Sequence, residues 1–529
     1  MSTTAIMNDC LEATPETRWW SSWYVVGPLL FGLTFLGSVT RGFMPQDETW
    51  FLQVVHRVVS GDVLYRDIFF GTTPLAVYVT VPFVYVFGSE MIVSKAVNSL
   101  CFVLMLLACC RIARQLGSKG QFPLLVILPL YFYVSPQADK VGSLYTPLAN
   151  LFYVSCFSAC LPWFRDSGKL KQNGIHLLLC SGIAAGLTMA TKQNCGFYVT
   201  AALVFALALR PKQSGETPSR QMGTVIVVLL LVLVVTLVIL LPVWWSGGFP
   251  AFFEYGFTNK HKYLRSARIG YFDSMKMLAD SPVALFVLLP YLLPWATLAL
   301  LLLAWQRADS LAKRRIAVVI GFVGMNCLGI YPRADLAHVR HLVPVCVLGW
   351  LCAWHALRIG EIGPAMVLLR KALTMCFVAV FCLFLIAIFF PLASRDYQFS
   401  TLKHFRGTVL HKDTQSRMEA WQTDLNEKIP ADQQAFFVSI DAAFYYLLTQ
   451  RQNPTPFDYP VATTFGSQGE EGVASAFAQG KIDKVLLDFR SYEAFPNQKP
   501  TLLIRSVLEH GESDSTFGDS KIYRSRRLR

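Results

Sequence analysis

Two adjacent carboxylates, Asp47 and Glu48, stand at the head of a segment in which Trp50, Phe51, Val54, Val55, Val58 and Val59 recur at helical spacing and Gly61 supplies a stop. The dipole at such a helix start stabilises anions, so ordinary capping accounts for the pair as readily as chemistry at a membrane surface does. Far along the chain, YPRADLAHVRH (331–341) brings Arg333, Asp335, His338, Arg340 and His341 into one short connection. A planar guanidinium makes paired hydrogen bonds to phosphate, and this density of donors points to phosphate binding, chiefly by Arg333 and His338 with Arg340 beside them. The plainer alternative is an Arg333–Asp335 pair that only shapes the loop. Lys192, beside Gln193 and Asn194, sits where an apolar run emerges, either as a phosphate contact or as a lysine snorkelling to the headgroups. In FFEYGFTNKHKYLRSARIGYF (252–272), Lys260, His261, Lys262, Arg265 and Arg268 alternate with aromatics, which suits anionic headgroups or a phosphate at the interface. The length of that connection suggests a mobile lid, with mere adhesion to the lipid surface equally open. Tyr65, Arg66 and Asp67 read as a structural turn between two helices.

Composition names the scaffold that must position these groups. Of 529 residues, 54% are hydrophobic and only 15% charged, and the mean hydropathy is +0.43. That is the balance of a polytopic α-helical membrane protein. The net charge of +13 is no nucleic-acid signal, because Lys and Arg lie mainly in short clusters between apolar runs, the pattern that sets membrane orientation. The thirteen cysteines contain no C-x-x-C and fall mostly inside apolar runs, as small packing residues rather than a disulfide framework. The first apolar stretch is long enough to span and lacks a basic flank before it, so no cleavable signal peptide is expected.

Apolar runs fall at about 19–39, 91–110, 122–135, 144–163, 174–191, 195–209, 223–245, 283–305, 316–331, 340–357 and 372–393. Residues 74–88 set the parity of everything after them. If they lie at the interface, the connections 111–119, 165–171, 210–220, 307–315 and 358–371, each with at least three Lys or Arg, share one side, and that side is the cytoplasm. The resulting reading has about eleven transmembrane helices, a disordered cytoplasmic tail (1–18) and an extracytoplasmic C-terminus. Helices in the first outer loop (41–90) lie flat on the membrane with their apolar stripe inward. Asp47, Glu48, Asp139, Lys192, the 246–281 connection and 331–341 then all share the outer face. The middles of the spans hold almost no ionisable groups, whereas transporters place charges near the midplane. Chemistry at the outer interface is favoured over transport.

From about residue 394 the composition becomes that of a soluble domain. FFVSIDA (436–442), KVLLDF (484–489) and KIYR (521–524) read as strands, with helices around Leu447 and over 472–479. The expected organisation is a transmembrane domain over 19–393 and a small extracytoplasmic α/β domain over 394–529, without a glycine-rich nucleotide loop.

PQDETWF, then SGDVLYRDIFFGTTPLAVYV and VFG, resembles the first outer loop of the GT-C membrane glycosyltransferases, in particular the protein O-mannosyltransferase-like branch that includes bacterial lipid A and core sugar transferases. GLTMATKQNCGFY and YPRADLAH extend the likeness over most of 20–395. The resemblance implies a polyprenyl-phosphate sugar donor, a lipid, glycan or protein acceptor, and a site facing away from the cytoplasm. It implies Asp47 as the base, Glu48 as a supporting acid that orients the acceptor or shares a divalent cation, and Lys192, Arg333, His338 and Arg340 as receivers of the phosphate. Asp139 occupies a connection where relatives keep another acid; pairing with Lys140 is its plainer role. A cation held by Asp47, Glu48 and Asp139 has no ligand spacing behind it. Thr72-Thr73-Pro74 replaces the Lys-Pro-Pro of the aminoarabinose-type transferases, which counts against that donor. No β-trefoil module is evident, which favours a prokaryotic-type enzyme of the bacterial cytoplasmic membrane. The rivals are a flippase for a lipid-linked sugar and a non-catalytic membrane scaffold.

Overall fold

The computed structural model describes residues 17–116, 145–164, 170–211, 217–266, 268–279, 284–331, 333–357, 375, 379, 381–383 and 385–526 apart from 494–495. Asp139, the expected span at 122–135 and most of the tail 1–18 lie outside these residues. Elsewhere the apolar runs are helices: Thr17–Val39, Met91–Gln115, Tyr145–Cys160, Leu170–Thr191, Gln193–Leu209, Pro218–Trp245, Ala284–Arg307, Ser310–Leu328 and Val343–Ala356. Among the described residues six helical stretches are long and apolar enough to cross a membrane: Met91–Gln115, Tyr145–Phe164, Gly174–Thr191, Pro218–Trp245, Leu288–Arg307 and Leu336–Ala356. Leu75–Phe87 has 13 residues. At about 1.5 Å per residue it reaches about 20 Å, short of a bilayer core of about 30 Å.

Helix contacts in a membrane rest on shape, since lipid is as apolar as leucine. Gly182 and Gly186, one turn apart on Leu170–Thr191, face Pro218–Trp245 so closely that an added Cβ would lie 2.8 Å from Leu231 Cδ2 and 2.7 Å from Val235 Cβ, respectively. The opposite side of Pro218–Trp245 leaves Leu230, Leu233, Val234 and Leu237 exposed, as a lipid-facing surface should.

The helix opening on the acid pair spans Asp47–Val59; of its expected stripe Phe51, Val54 and Val55 are buried and Trp50, Val58 and Val59 partly buried. It does not lie with a solvated outer face. Gln53 and Arg57 are buried too, because the C-terminal domain covers the other side. Arg57 Nη1 sits 2.9 Å from Asp458 Oδ2 and its Nε 2.7 Å from Asp62 Oδ2. The same guanidinium donates to Thr455 O and Asp67 O. Leu52 and Met91 share a core with Phe405, Phe437 and Tyr446, and Phe69 shares another with Phe436, Phe457 and Phe465. Packing therefore runs continuously from the first loop into the C-terminal domain.

That domain is α/β. Strands β1 (Tyr397–Phe399) and β2 (Val409–His411) form an antiparallel pair. Strands β3 (Ala435–Val438), β4 (Lys484–Leu487), β5 (Gly511–Phe517) and β6 (Ser520–Ser525) form a sheet in the order β3-β4-β6-β5, with β3 and β4 parallel. The expected strands and the helices Ala442–Thr449 and Gly469–Ala478 are present; Lys412–Lys428 and Thr501–His510 are further helices. Tyr65 is fully buried, with φ +70° and its hydroxyl on Thr72 O. The turn at 65–67 is structural, with Arg66 paired to Asp67.

Filling the glycine contact tests this packing. Gly186→Val should cost about 1–3 kcal/mol through overpacking. A lowered thermal midpoint of the protein in detergent is the expected observation, while Gly27→Val, where nothing lies within 4 Å of the added Cβ, should leave it unchanged.

Candidate active site

The acid pair is not a cap. Gln46 occupies the N-cap position without a side-chain capping bond, and Asp47 begins the helix itself. Glu48 turns to the neighbouring span. Its oxygens lie 2.9 and 3.1 Å from Lys95 Nζ, and Oε2 also accepts from Met44 N at 2.8 Å. Both partners of this ion pair are buried. Glu48 therefore anchors the start of the helix to Met91–Gln115 and leaves Asp47 as the half-buried member of the pair.

Asp335 organises the second half of the site. It caps the short helix Leu336–Val339, accepting from His338 N at 3.1 Å and lying 2.6 Å from His338 Nδ1 through Oδ1. Its Oδ2 receives Arg333 Nε at 3.0 Å and Nη2 at 2.9 Å. Burial pushes Asp335 up, but the hydrogen bond and charge of His338 and the charge of Arg333 prevail and hold its carboxyl well below the usual range. The loop-shaping ion pair expected as the plainer alternative is thus present, and it fixes both expected phosphate donors. Ala334 N donates to Ile269 O at 3.1 Å, joining this connection to the long 246–281 segment. Arg340 is buried, with Nε on Ala337 O.

The two halves meet around Asp47. Burial pushes its carboxyl up to about 6; Arg333 opposes this, Asp335 and Glu48 reinforce it, and Arg340 opposes it more weakly. Tyr145, Tyr263 and Tyr459 stand in the same electrostatic neighbourhood, and Tyr263 hydrogen-bonds Arg333. Lys192 sits between two helices, its Nζ 3.4 Å from Thr146 Oγ1 and 5.5 Å from the centre of the Tyr145 ring, with His338 within reach of its charge. Asp47, Lys192, Arg333, His338 and Arg340 therefore share one end of the helical bundle.

The remaining expected residues are distributed differently. Lys262 donates to Gly466 O at 3.0 Å, tying the long connection to the C-terminal domain. Lys260 and Arg265 lie on the same short helix, Lys260–Ser266, and Arg265 is exposed. Among the described residues no three His, Cys, Asp or Glu side chains gather as a metal site. Of the carboxylates expected to share a divalent cation, Glu48 is paired with Lys95, and Asp139 lies outside the described residues.

Comparison with protein-family models and with curated proteins finds no match. Among solved structures, ArnT from Cupriavidus metallidurans bound to undecaprenyl phosphate superposes with a TM-score of 0.59 at 13% identity, over 96% of this chain and 98% of that one. Its apo form gives a TM-score of 0.57 at the same identity and coverage. The chain shares the fold of ArnT. At this identity the likeness is one of architecture, and it extends through the C-terminal domain.

On this scaffold, four residues near the candidate site were not among those expected from the sequence: Lys95, Tyr145, Tyr263 and Tyr459. Lys95 had a signal, an ionisable group inside an apolar run. Tyr263 lay among the aromatics of the basic segment 252–272; Tyr145 and Tyr459 had no signal, being aromatics among many. Lys95→Met should destabilise the protein by about 3–5 kcal/mol, because Glu48 would be left charged and buried. A fall in thermal midpoint that Lys95→Arg largely restores is the expected result.

Proposed function

We propose that this protein transfers a sugar from a polyprenyl-phosphate carrier to a hydroxyl acceptor at the extracytoplasmic face of a membrane, with inversion at the anomeric carbon. The observation that carries this reading is the juxtaposition of Asp47, a carboxyl raised to about 6, with the cations Arg333 and Arg340. A base needs a pKa near the working pH, and a departing phosphate needs fixed positive charge. In the proposed step Asp47 takes the proton of the acceptor hydroxyl while that oxygen attacks the anomeric carbon. The bond from that carbon to the phosphate oxygen breaks, and the polyprenyl phosphate leaves with the electron pair. Arg333, Arg340, Lys192 and His338 stabilise the charge it carries away.

The lipid-phosphate class of donor is supported by the fold shared with ArnT, which has been solved with undecaprenyl phosphate. The turn at Thr72-Thr73-Pro74 brings no cation to such a phosphate. Thr73 spends its hydroxyl on Met189 O at 2.8 Å, which ties this turn to the helix end just before Lys192. The acceptor is a glycolipid, an envelope glycan or a protein. Loss of one sugar from the envelope of a deletion strain, read by mass spectrometry, would name both substrates. The basic connections between spans support placing the site outside a bacterial cytoplasmic membrane.

Replacing Asp47 by Asn in membranes that transfer labelled sugar should lower the rate by about 10²–10⁴-fold, the range for loss of a general base. Undiminished transfer at normal protein levels would remove Asp47 from the mechanism. Because the base works only when ionised, and its pKa is raised to about 6, wild-type kcat/KM should rise with pH through about 6 and level off above it.

A further inference from the structure

The C-terminal domain reaches the site through one short strap, 458–467. Asp458 is fully buried and bound to Arg57 at 2.9 Å, and its other oxygen accepts from Asn453 Nδ2 at 3.0 Å and Gln53 Nε2 at 3.4 Å. Gln53 and Arg57 belong to the helix that begins at Asp47. At the far end of the strap, Gly466 O accepts from Lys262 and Ser467 N donates to Glu254 Oε1 at 2.6 Å. That segment carries Tyr263, the partner of Arg333. The strap is therefore fastened on both sides of the site, once to the helix of the base and once to the segment that meets Arg333.

Tyr459 stands between the two fastenings. Its carbonyl is fixed by Val461 N at 2.9 Å and Thr464 Oγ1 at 2.7 Å. Its ring lies 6.0 Å from that of Trp50, centre to centre. Trp50 is one helical turn on from Asp47, so the two share a face of the helix. Trp50 Nε1 is buried without an acceptor. Burial and the Asp47 carboxylate hold the phenol of Tyr459 well above its ordinary value against the pull of Arg333. It stays a proton donor wherever Asp47 is ionised.

We infer that Tyr459, carried by the C-terminal domain, belongs to the donor site and gives a hydrogen bond to the phosphate of the lipid carrier opposite Arg333. The inference rests on the proposed donor class and deepens it, since it makes the C-terminal domain a wall of the site. The phosphate would then be held by groups from three distant parts of the chain.

Binding of undecaprenyl phosphate, without any sugar, to the full-length protein in nanodiscs tests this. Tyr459→Phe removes only the hydroxyl and should weaken affinity five- to tenfold with an unchanged thermal midpoint. Tyr459→Ala should lose about as much, and Arg333→Ala at least as much. If Phe binds within twofold of wild type while Arg333→Ala is weakened, the hydroxyl makes no contact and the inference falls, leaving the proposed function standing. Weakening by Ala but not by Phe would assign Tyr459 to packing on Trp50 and overturn it equally. Failure of the wild-type protein to bind undecaprenyl phosphate would overturn the donor class, and this inference with it.

Discussion

The arrangement depends first on the buried ion pair of Arg57 with Asp458. Taking two charges out of water is expensive, and their attraction compensates only when the remaining donors and acceptors are also satisfied. Here they are: Arg57 is held by Asp62, Thr455 O, Asp67 O and Asp458, and Asp458 by Asn453 and Gln53 as well. The pair joins the helix of the base, the turn after it and the C-terminal domain. Since Arg57 is ten residues on from Asp47 in one rigid helix, fixing its far end fixes the base. The Glu48–Lys95 pair fixes the near end. Asp47 is held between two buried ion pairs and takes part in neither.

Electrostatic balance follows from the same economy of partners. A bare Arg333 beside Asp47 would depress the carboxyl and make it a poor base. Asp335 prevents this by taking both Arg333 Nε and Nη2 on one oxygen and His338 on the other. What Asp47 meets is a largely compensated cluster, and burial decides the outcome, raising it to about 6. The same Asp335 keeps the guanidinium charged and oriented without sealing it, since Arg333 also engages Tyr263. One loop carboxylate thus sets the base and positions the cations.

How much of this was legible in the sequence depended on the range of the forces involved. Apolar runs announce helices locally, so six of the expected spans are helices long and apolar enough to cross a membrane, and the short helix at 75–87 is there too. Charge parity put Asp47, Lys192, Arg333 and His338 at one end because alternation needs no tertiary detail. The pairing of Glu48 with Lys95 was not legible, because that lysine comes from another helix. The amphipathic stripe of 47–59 was read correctly on its apolar side. Nothing local marks its polar side, where Gln53 and Arg57 are buried by residues some 400 positions away. Tyr459 could not be found at all, because its role comes from the neighbouring Asp458 and from nothing in its local pattern.

The polar groups gather where helices break, and the reason is physical. Inside a membrane every backbone donor and acceptor must be satisfied, so irregular chain is tolerated only where protein covers it. Lys192 is extended between two helices, yet its N donates to Thr188 O and its O accepts from Gly196 N. Arg340 falls in the 3-10 turn Arg340–Leu342 that links Leu336–Val339 to Val343–Ala356. Asp335 satisfies the first of these helices, and Asn150 donates to His341 O in the turn. The long connection covers part of these breaks, Gly256 O accepting from Gln193 Nε2 and Ile269 O from Ala334 N. Asp47 lies in the same electrostatic neighbourhood as Arg333 and Arg340, and its burial there raises its carboxyl to about 6.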